Sequence, residues 1–186
     1  MTKILHEEIV FKDVLTLEKG RVQDEEGNTF SRLRIKRQDA SCVLVLNTDS
    51  NRIILTRQFR YGVAPKTKEN LIEVVAGKVD DGEEPLTAAI RETEEEIGYR
   101  VRKENMKYLV SCFSSPAYSS ERYHIYFATV SNSDKKTEGG GLETENESIE
   151  LVEIEPKAFK DKILTGELAD AKTYVAGQQA MLKNLI

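Results

Sequence analysis

The chain has 186 residues, of which 39% are hydrophobic and 32% are charged, and its formal net charge at pH 7 is −5. This length and composition predict about one soluble globular domain with a sizeable core. The acidic balance disfavours a dedicated nucleic-acid binder, no apolar run approaches the roughly 20 residues that span a bilayer, and the N-terminus lacks an apolar signal core.

The first 40 residues predict a small antiparallel sheet. Side chains alternate between apolar and polar near 9–17 and 31–37, and a turn-rich stretch over 24–28 separates the two segments. Because the first strongly apolar strand comes only after this sheet, we expect an N-terminal β subdomain over 1–40 and a main domain over 41–186.

The main domain combines strands with a few helices. Its apolar or alternating segments predict six strands, at 42–47, 52–59, 71–76, 106–113, 122–130 and 149–154. Two C-terminal helices are predicted, over 156–164 and 169–185. Cys42 and Cys112 fall within strands, which favours buried, reduced thiols in a cytoplasmic protein over a disulfide framework. Glu73 interrupts an apolar strand, and a buried acid there requires a partner.

The segment from Gly77 to Tyr99 predicts a short helix that is rich in acids. Pro85 suits the first turn because its missing N–H has no partner there, and Gly98 suits the position just past the end, so we expect the helix over 84–97. At about 100° per residue, one stripe of this helix faces the core, namely Leu86, Ala89, Ile90, Thr93 and Ile97.

Three glutamates of this helix lie one turn apart on an adjoining strip. Glu92 is within side-chain reach of Glu95 and Glu96, and small Ala88 leaves space beside them. For a run of charges alone, the ordinary interpretation is a solvated face. However, acids in the last turn oppose the helix dipole, and like charges four residues apart repel one another. A bound divalent cation would turn that repulsion into attraction, so the pattern favours a metal site.

The spacing of this stretch resembles the box of the Nudix hydrolases, which cleave pyrophosphates bearing a nucleoside. Gly77 is followed after five residues by Glu83, and after seven more by the run from Arg91 to Tyr99. Thr93 and Tyr99 stand where the family usually has bulky aliphatic residues, but both are packing positions, so the acids are unaffected. The resemblance implies an α/β fold, the Nudix α/β/α sandwich with a mixed sheet, in addition to the small N-terminal antiparallel sheet.

The same resemblance implies a site for Mg²⁺, in which Mn²⁺ is a possible substitute. Mg²⁺ takes oxygen ligands and keeps several waters, so a few carboxylates and one carbonyl suffice. The implied ligands are the carbonyl oxygen of Ala76 and the carboxylates of Glu92, Glu95 and Glu96. Arg91 and Glu83 are implied to pin the loop to the helix, with Glu83 also near the metal.

A glycine-rich, acidic stretch over 131–148 resembles the mobile loop that carries the catalytic glutamate in these enzymes. It contains the glycines 139–141, which allow large backbone movement, and then alternating glutamates. On this resemblance the general base is Glu145 or Glu147, of which Glu145 is preferred. From composition alone, the alternative is a disordered acidic surface loop.

Within the family, the chain is most similar to the ADP-ribose and GDP-mannose pyrophosphatases, over most of its length. A proline past the box accompanies ADP-ribose use, and Pro116 stands seventeen residues past Tyr99. The tail over 165–173 is instead similar to the GDP-mannose branch. We therefore expect hydrolysis of a nucleoside diphosphate sugar, with ADP-ribose giving AMP and ribose 5-phosphate. GDP-mannose, or a broad range of nucleotide sugars, is the alternative.

The same resemblance implies a set of substrate-binding residues, namely Arg57, Arg60, Glu73, Pro116 and Glu121. Arginine suits a phosphate because its planar guanidinium donates two parallel hydrogen bonds. From composition alone, the two arginines are equally compatible with surface charge at a strand end.

The resemblance also implies a homodimer in which the N-terminal sheet is exchanged, and neither nucleic acid nor membrane is expected as a partner. The rival from another class is a Nudix-like module that senses a nucleotide without cleaving it. Such modules typically lose box acids, whereas this sequence keeps them.

Overall fold

The computed structural model describes residues 1–141 and 148–186. The chain divides into two compact units. The smaller unit comprises Met1–Asp39 and Cys112–Arg122, and the larger comprises Ala40–Ser111 and Tyr123–Ile186. The boundaries expected from the sequence, 1–40 and 41–186, do not include this second segment of the smaller unit, and as functional domains they stay a prediction.

The smaller unit contains the predicted N-terminal antiparallel sheet. Its strands pair in the order β1–β2–β3, with β1 at Lys3–Lys12, β2 at Thr16–Gln23 and β3 at Thr29–Lys36. The turn before β3 is held by Asp24, whose carboxylate accepts hydrogen bonds from the backbone N–H groups of Glu26 at 3.0 Å and Asn28 at 2.8 Å. The alternating segment near 9–17 is not one strand, because it contains the turn between β1 and β2.

The larger sheet is mixed, as the family resemblance implies. Its seven strands are β4 (Ala40–Asn47), β5 (Arg52–Gln58), β6 (Leu71–Glu73), β7 (Val75–Lys78), β8 (Met106–Phe113), β9 (Arg122–Val130) and β10 (Glu150–Ile154). The strand order is β10–β5–β4–β9–β8, with β6 added to β5 and β7 added to β4. The β4–β9 pair is parallel, whereas β4–β5 and β5–β10 are antiparallel. Strand β4 is almost entirely buried, which explains its nearly continuous apolar sequence.

The segment expected as one strand over 71–76 is two strands. Glu73 at the end of β6 pairs opposite Thr56 of β5, whereas Val75 at the start of β7 pairs opposite Val43 of β4. Val74 lies between them and is buried. The chain therefore changes partner at Val74, which a sequence pattern alone does not reveal because the two partner strands are distant in sequence.

In the part of the chain that the structure describes, three α-helices lie close to their predicted positions. They are α1 (Pro85–Ile97), α2 (Pro156–Thr165) and α3 (Ala171–Leu182). Gly98 and Gly166 follow α1 and α2 in the left-handed conformation, with φ of 78° and 76°, which favours glycine at both ends. None of the described helices is long and apolar enough to cross a membrane.

Helix α1 packs on the sheet through a face slightly different from the predicted stripe. Ala89, Thr93 and Ile97 are buried as predicted, but Ala88 and Glu96 are also buried, so the packed face extends toward the acidic strip. The hydroxyl of Thr93 donates to the backbone carbonyl of Ala89 at 2.7 Å, which satisfies this polar group inside the core. The apolar cluster beneath the helix includes Val43, Val45, Ile54, Val75 and Val130. Burial of each such side chain contributes about 1.5–3 kcal/mol, and α1 is thereby fixed against β4 and β7.

Candidate active site

Arg91, near the middle of α1, donates hydrogen bonds to three acids. Its Nη1 donates to Oε1 of Glu92 at 2.7 Å and to Oε2 of Glu95 at 3.1 Å. Its Nε and Nη2 donate to the two carboxylate oxygens of Glu83 at 3.1 and 2.9 Å, and Nη2 also donates to the backbone carbonyl of Lys78 at 2.9 Å. A guanidinium has five N–H groups, and these five hydrogen bonds use all of them. Arg91 therefore joins the loop before the helix to two acids on the helix.

The Arg91 contacts shift the ionisation of the groups involved. The hydrogen bonds from Arg91 hold the pKa of Glu83 below its usual value, although partial burial acts in the opposite direction. The pKa of Arg91 is raised, first by Glu83 and then by Glu92, against the effect of burial. Both groups are therefore charged at neutral pH.

Gly77 is required by the position of Glu92. A Cβ atom built at Gly77 would lie 1.7 Å from Cδ of Glu92 and about as close to both carboxylate oxygens, at 2.0 and 2.1 Å. The carboxylate thus lies directly against the backbone of β7, in space that any side chain would fill. This contact gives a steric reason for the glycine that opens the sequence motif.

Glu96 lies deeper than the other acids of the helix, with 2% of its surface exposed. Its Oε2 accepts a hydrogen bond from the backbone N–H of Ala76 at 3.3 Å. Glu96 therefore contacts Ala76, the residue just before Gly77. Two glutamates of α1 thus lie against consecutive residues of β7, Glu96 at Ala76 and Glu92 at Gly77.

The glycines at 139–141 cap the C-terminal end of α1. The backbone N–H of Gly140 donates to the carbonyl of Glu96 at 2.8 Å, and that of Gly141 donates to the carbonyl of Glu95 at 3.2 Å. A Cβ atom at Gly139, which has φ of 71°, would lie 2.5 Å from the carbonyl oxygen of Glu96. Close approach to the helix explains Gly139 here, in addition to the conformational freedom inferred from the sequence. These hydrogen bonds satisfy carbonyls that a helix end leaves unpaired.

The two candidate general bases follow these glycines in the sequence. Glu145 and Glu147, predicted as alternative general bases, lie outside the described residues. Their assignment stays a prediction.

The donor set on α1 fits a hard divalent cation. Carboxylate oxygens are the ligands that Mg²⁺ and similar ions prefer, and Glu92 and Glu95 already share one positively charged donor, Nη1 of Arg91. Within 1–141 and 148–186, no group of three or more His, Cys, Asp or Glu side chains is gathered in a metal-binding arrangement. Ala76, Glu92, Glu95 and Glu96 therefore stay predicted ligands, and the carboxylates of Glu92 and Glu95 are oriented in this structure by Arg91.

Arg60 and Glu73 form a tight ion pair near the partner change at Val74. Arg60 donates from Nε and Nη2 to the Glu73 carboxylate, the shortest contact being 2.6 Å, and the side chain of Arg60 is 38% exposed whereas that of Glu73 is 3% exposed. Burial acts to lower the pKa of Arg60, but the hydrogen bonds and charge of Glu73 outweigh it and raise the pKa. Arg57 is held separately, by Glu150 directly opposite on β10, with Nη1 at 3.0 Å from Oε1.

The partner of Glu73 on its other side is Lys172, which the sequence analysis did not select as a site residue. Nζ of Lys172 lies 3.3 Å from Oε1 of Glu73 and 2.9 Å from Oδ1 of Asp170. Burial acts to lower the pKa of Lys172, but the charges of Asp170 and Glu73 outweigh it, so the pKa is raised and the side chain stays protonated. The available signal was Glu73, an acid inside an apolar strand, which required a cationic partner.

Pro116 and Glu121, two further predicted substrate residues, lie in the smaller unit. Pro116 lines a cavity of about 330 Å³ together with Arg34 of β3 and Tyr118. Glu121 accepts from Nη2 of Arg37 at 3.3 Å. The structure thus gathers Glu83, Arg91, Glu92 and Glu95 in one cluster and Arg60 with Glu73 in another, and it pairs Arg57 and Glu121 with other residues.

Comparison with known proteins identifies the family. The NUDIX domain matches residues 36–173. The chain is 31% identical over 180 residues to a methanol dehydrogenase activator of Bacillus methanolicus, covering 97% of this chain and 92% of that protein. It is 32% identical over 184 residues to an ADP-ribose pyrophosphatase of Bacillus subtilis strain 168, covering 98% and 94%. It is 32% identical over 154 residues to a GDP-mannose pyrophosphatase of Cronobacter sakazakii, covering 81% and 77%.

A solved structure extends the comparison to the fold. The crystal structure of an ADP compounds hydrolase superposes with a TM-score of 0.77 at 21% sequence identity, covering 99% of this chain and 95% of that one. The predicted fold class is thereby confirmed. Because the NUDIX domain spans most of the chain and the pyrophosphatase relatives match along most of theirs, the chain belongs to the Nudix hydrolases, enzymes that act on phosphorus-containing anhydrides and generally use divalent metal ions.

Proposed function

We propose that the protein hydrolyses the diphosphate of nucleoside diphosphate sugars with Mg²⁺ as the working ion, and that ADP-ribose is its substrate, giving AMP and ribose 5-phosphate. The observation that carries this proposal is the similarity to an ADP-ribose pyrophosphatase over 98% of the chain. The acids that surround Arg91 support it, because pyrophosphate cleavage requires a site that can hold cations against the anionic oxygens of the substrate.

The proposed metal ligands are the carbonyl oxygen of Ala76 and the carboxylates of Glu92, Glu95 and Glu96. When bound, Mg²⁺ would neutralise phosphate charge and lower the pKa of a coordinated water, and Mn²⁺ is the proposed substitute. The protein prepares this chemistry by holding the carboxylates in place. Gly77 leaves space for Glu92, and Arg91 orients both Glu92 and Glu95.

Arg91 and Glu83 have a positioning role in this proposal. Their paired hydrogen bonds, at 3.1 and 2.9 Å, join the loop to α1. The general base is proposed to be Glu145 or Glu147. Either carboxylate can accept the proton of the attacking water, whose oxygen then bonds to one phosphorus while the bridging oxygen leaves.

The proposed substrate contacts come from Arg57, Arg60, Glu73, Pro116 and Glu121. Arg60 is the best supported, because Glu73 occupies its Nε and Nη2 while more than a third of the side chain remains exposed. In this proposal, its Nη1 donates to a phosphate oxygen. Glu73 has a second proposed role, accepting from polar groups of the substrate.

GDP-mannose is the second candidate substrate. A specific feature favours it, since the segment over 165–173 is similar to the GDP-mannose branch, and a GDP-mannose pyrophosphatase is 32% identical to the chain. A broad specificity for nucleotide sugars would accommodate both similarities.

We also propose that the protein is a homodimer joined through residues 1–40, with 41–186 as the hydrolase domain. Strand β1 is at the edge of the small sheet and is exposed throughout its length. Four of its five apolar residues are symmetric about the centre of the strand, with Ile4 and Leu5 on one side and Val10 and Phe11 on the other. Antiparallel pairing of two β1 edges would place Ile4 opposite Phe11, so a second copy of the chain is the proposed partner.

The deciding experiment offers the purified protein ADP-ribose, GDP-mannose, other nucleotide sugars and dinucleoside polyphosphates, each with Mg²⁺ or Mn²⁺, and identifies products by mass. In water enriched in ¹⁸O, the product that gains the label identifies the phosphorus attacked. The proposal expects AMP and ribose 5-phosphate from ADP-ribose at the highest kcat/KM. Tight nucleotide binding without any product would instead identify a non-catalytic sensing module.

A further inference from the structure

Four charged side chains form a cluster, buried except for part of Arg60, where helix α3 meets the change of partner between β6 and β7. Arg60 and Lys172 supply two positive charges, and Glu73 and Asp170 supply two negative charges. Lys172 is the centre, because its Nζ contacts both acids, at 2.9 Å to Asp170 and 3.3 Å to Glu73. Only 9% of its side chain is exposed. A charged group buried to this extent is stable only when groups of opposite charge within the protein pair with it.

A second contact ties the same helix to the next residue of the sheet. Asp170 is the N-cap of α3 and accepts from the backbone N–H and hydroxyl of Thr173, at 2.9 and 2.6 Å. The hydroxyl oxygen of Thr173 in turn accepts from the backbone N–H of Val74 at 2.8 Å. The first turn of α3 therefore holds two consecutive residues of the sheet, Glu73 through Lys172 and Val74 through Thr173.

These contacts determine how Arg60 is presented. Glu73 has four carboxylate lone-pair directions to satisfy; Lys172 lies 3.3 Å from Oε1, and the shortest hydrogen bond from Arg60 goes to Oε2 at 2.6 Å. Without Lys172, Arg60 would be the only cation among the described residues left to neutralise Glu73, and it would be drawn further onto it. The guanidinium would then have less freedom to bind an external anion.

We infer that Lys172 is a positioning residue for substrate binding, which acts through Glu73 to hold the Arg60 guanidinium ready for the diphosphate. This inference rests on the proposed function, and it assigns a role to a residue that does not itself contact substrate. Because Lys172 acts mainly on ground-state binding of the substrate, its loss should change KM more than kcat.

The test compares Lys172→Met with Lys157→Met. Both lysines are the second residue of a helix, in α3 and α2 respectively, but Lys157 is exposed. With ADP-ribose and Mg²⁺, Lys172→Met should raise KM about tenfold while kcat changes less than threefold. Lys157→Met should leave both constants within twofold of the wild type, and Lys172→Arg should restore KM to within about threefold.

The pathway through Arg60 is tested by a double variant. Arg60→Met should raise KM by itself, and adding Lys172→Met should raise it little further, because the residue through which Lys172 acts is already gone. Full additivity, or a wild-type KM in Lys172→Met, would overturn the inference. A loss of stability in urea with unchanged KM would show a purely structural lysine. Absence of turnover in the wild type is a separate outcome, which refutes the proposed function before any variant is compared.

Discussion

The charged clusters around Arg91 and around Lys172 differ in charge balance and depth. Around Arg91, one guanidinium donates hydrogen bonds to Glu83, Glu92 and Glu95, whose side chains are 13–27% exposed. Around Lys172, two cations face two acids, and both Lys172 and Glu73 are almost fully buried. A buried cluster must balance its charges internally. The partly exposed cluster has an excess of negative charge, which is the condition under which an added cation is stabilised.

Among the variants that test this difference between the clusters, Glu96→Gln is expected to have the largest effect on turnover. Glu96 is the most buried acid on α1, and the amide keeps its shape but loses the charge proposed to bind metal. Turnover with Mg²⁺ should fall at least a hundredfold, or about 3 kcal/mol in transition-state stabilisation. Initial rates and circular dichroism should be measured together.

The matched control for this prediction is Glu94→Gln on the same helix. Glu94 pairs with Arg100 through two hydrogen bonds of 2.8 Å, away from β7. Its variant should keep nearly full activity. If Glu96→Gln is as active as Glu94→Gln, the excess charge on α1 has no catalytic role.

Gly77→Ala should have the next largest effect, a loss of roughly ten- to a hundredfold in kcat/KM. The new Cβ would occupy the position of the Glu92 carboxylate, which must then move away from β7. Gly62→Ala is the control, since nothing lies within 4 Å of the Cβ that it adds. Equal activity in the two variants would show that the position of Glu92 is unimportant.

The effect of Mg²⁺ on thermal stability should show which of the two clusters binds the ion. An ion that binds only the folded state at ten times its Kd adds about 1.4 kcal/mol of stability, which raises Tm by a few degrees. Thermal unfolding with Mg²⁺ and with EDTA should show this shift in the wild type and in Lys172→Met, but not in Glu92→Gln. A shift that survives Glu92→Gln would place the bound ion elsewhere.

The smallest expected effect is on stability in acid. Because Arg91 lowers the pKa of Glu83 in the folded state, their pairing stabilises the fold above pH 4.5 or so, and this contribution is lost as the pH falls through the lowered pKa. Glu83→Gln should therefore cost about 1 kcal/mol near pH 7 and much less at pH 3, whereas the exposed Glu104→Gln should cost little at either. Urea unfolding at the two pH values measures both. An equal cost of Glu83→Gln at pH 7 and pH 3 would contradict the assignment.

The features that the sequence predicted are those with local causes. Helix α1 begins within one residue of its expected start and ends where expected, because Pro85 and Gly98 are local signals of helix ends. The family and enzyme class followed from the spacing of Gly77, Glu83 and the acids.

The features that the sequence did not predict depend on partners far along the chain. Lys172 and Glu73 meet across 99 residues, so the burial of this lysine is a property of the tertiary structure. The break at Val74 likewise depends on distant strands, because the residues before it pair with β5 and those after it pair with β4. The five hydrogen bonds of Arg91 required the loop and the helix to be placed together.

The change of partner at Val74 constrains the length of the chain in this region. The segment from Leu71 to Lys78 bridges two neighbouring strands, paired with β5 at one end and with β4 at the other. One residue inserted on either side of Val74 would reverse which face of the sheet every later side chain occupies, up to Gly77. The pairing at both ends fixes the number of residues in this segment. Homologues are therefore expected to differ here by substitution and not by insertion or deletion.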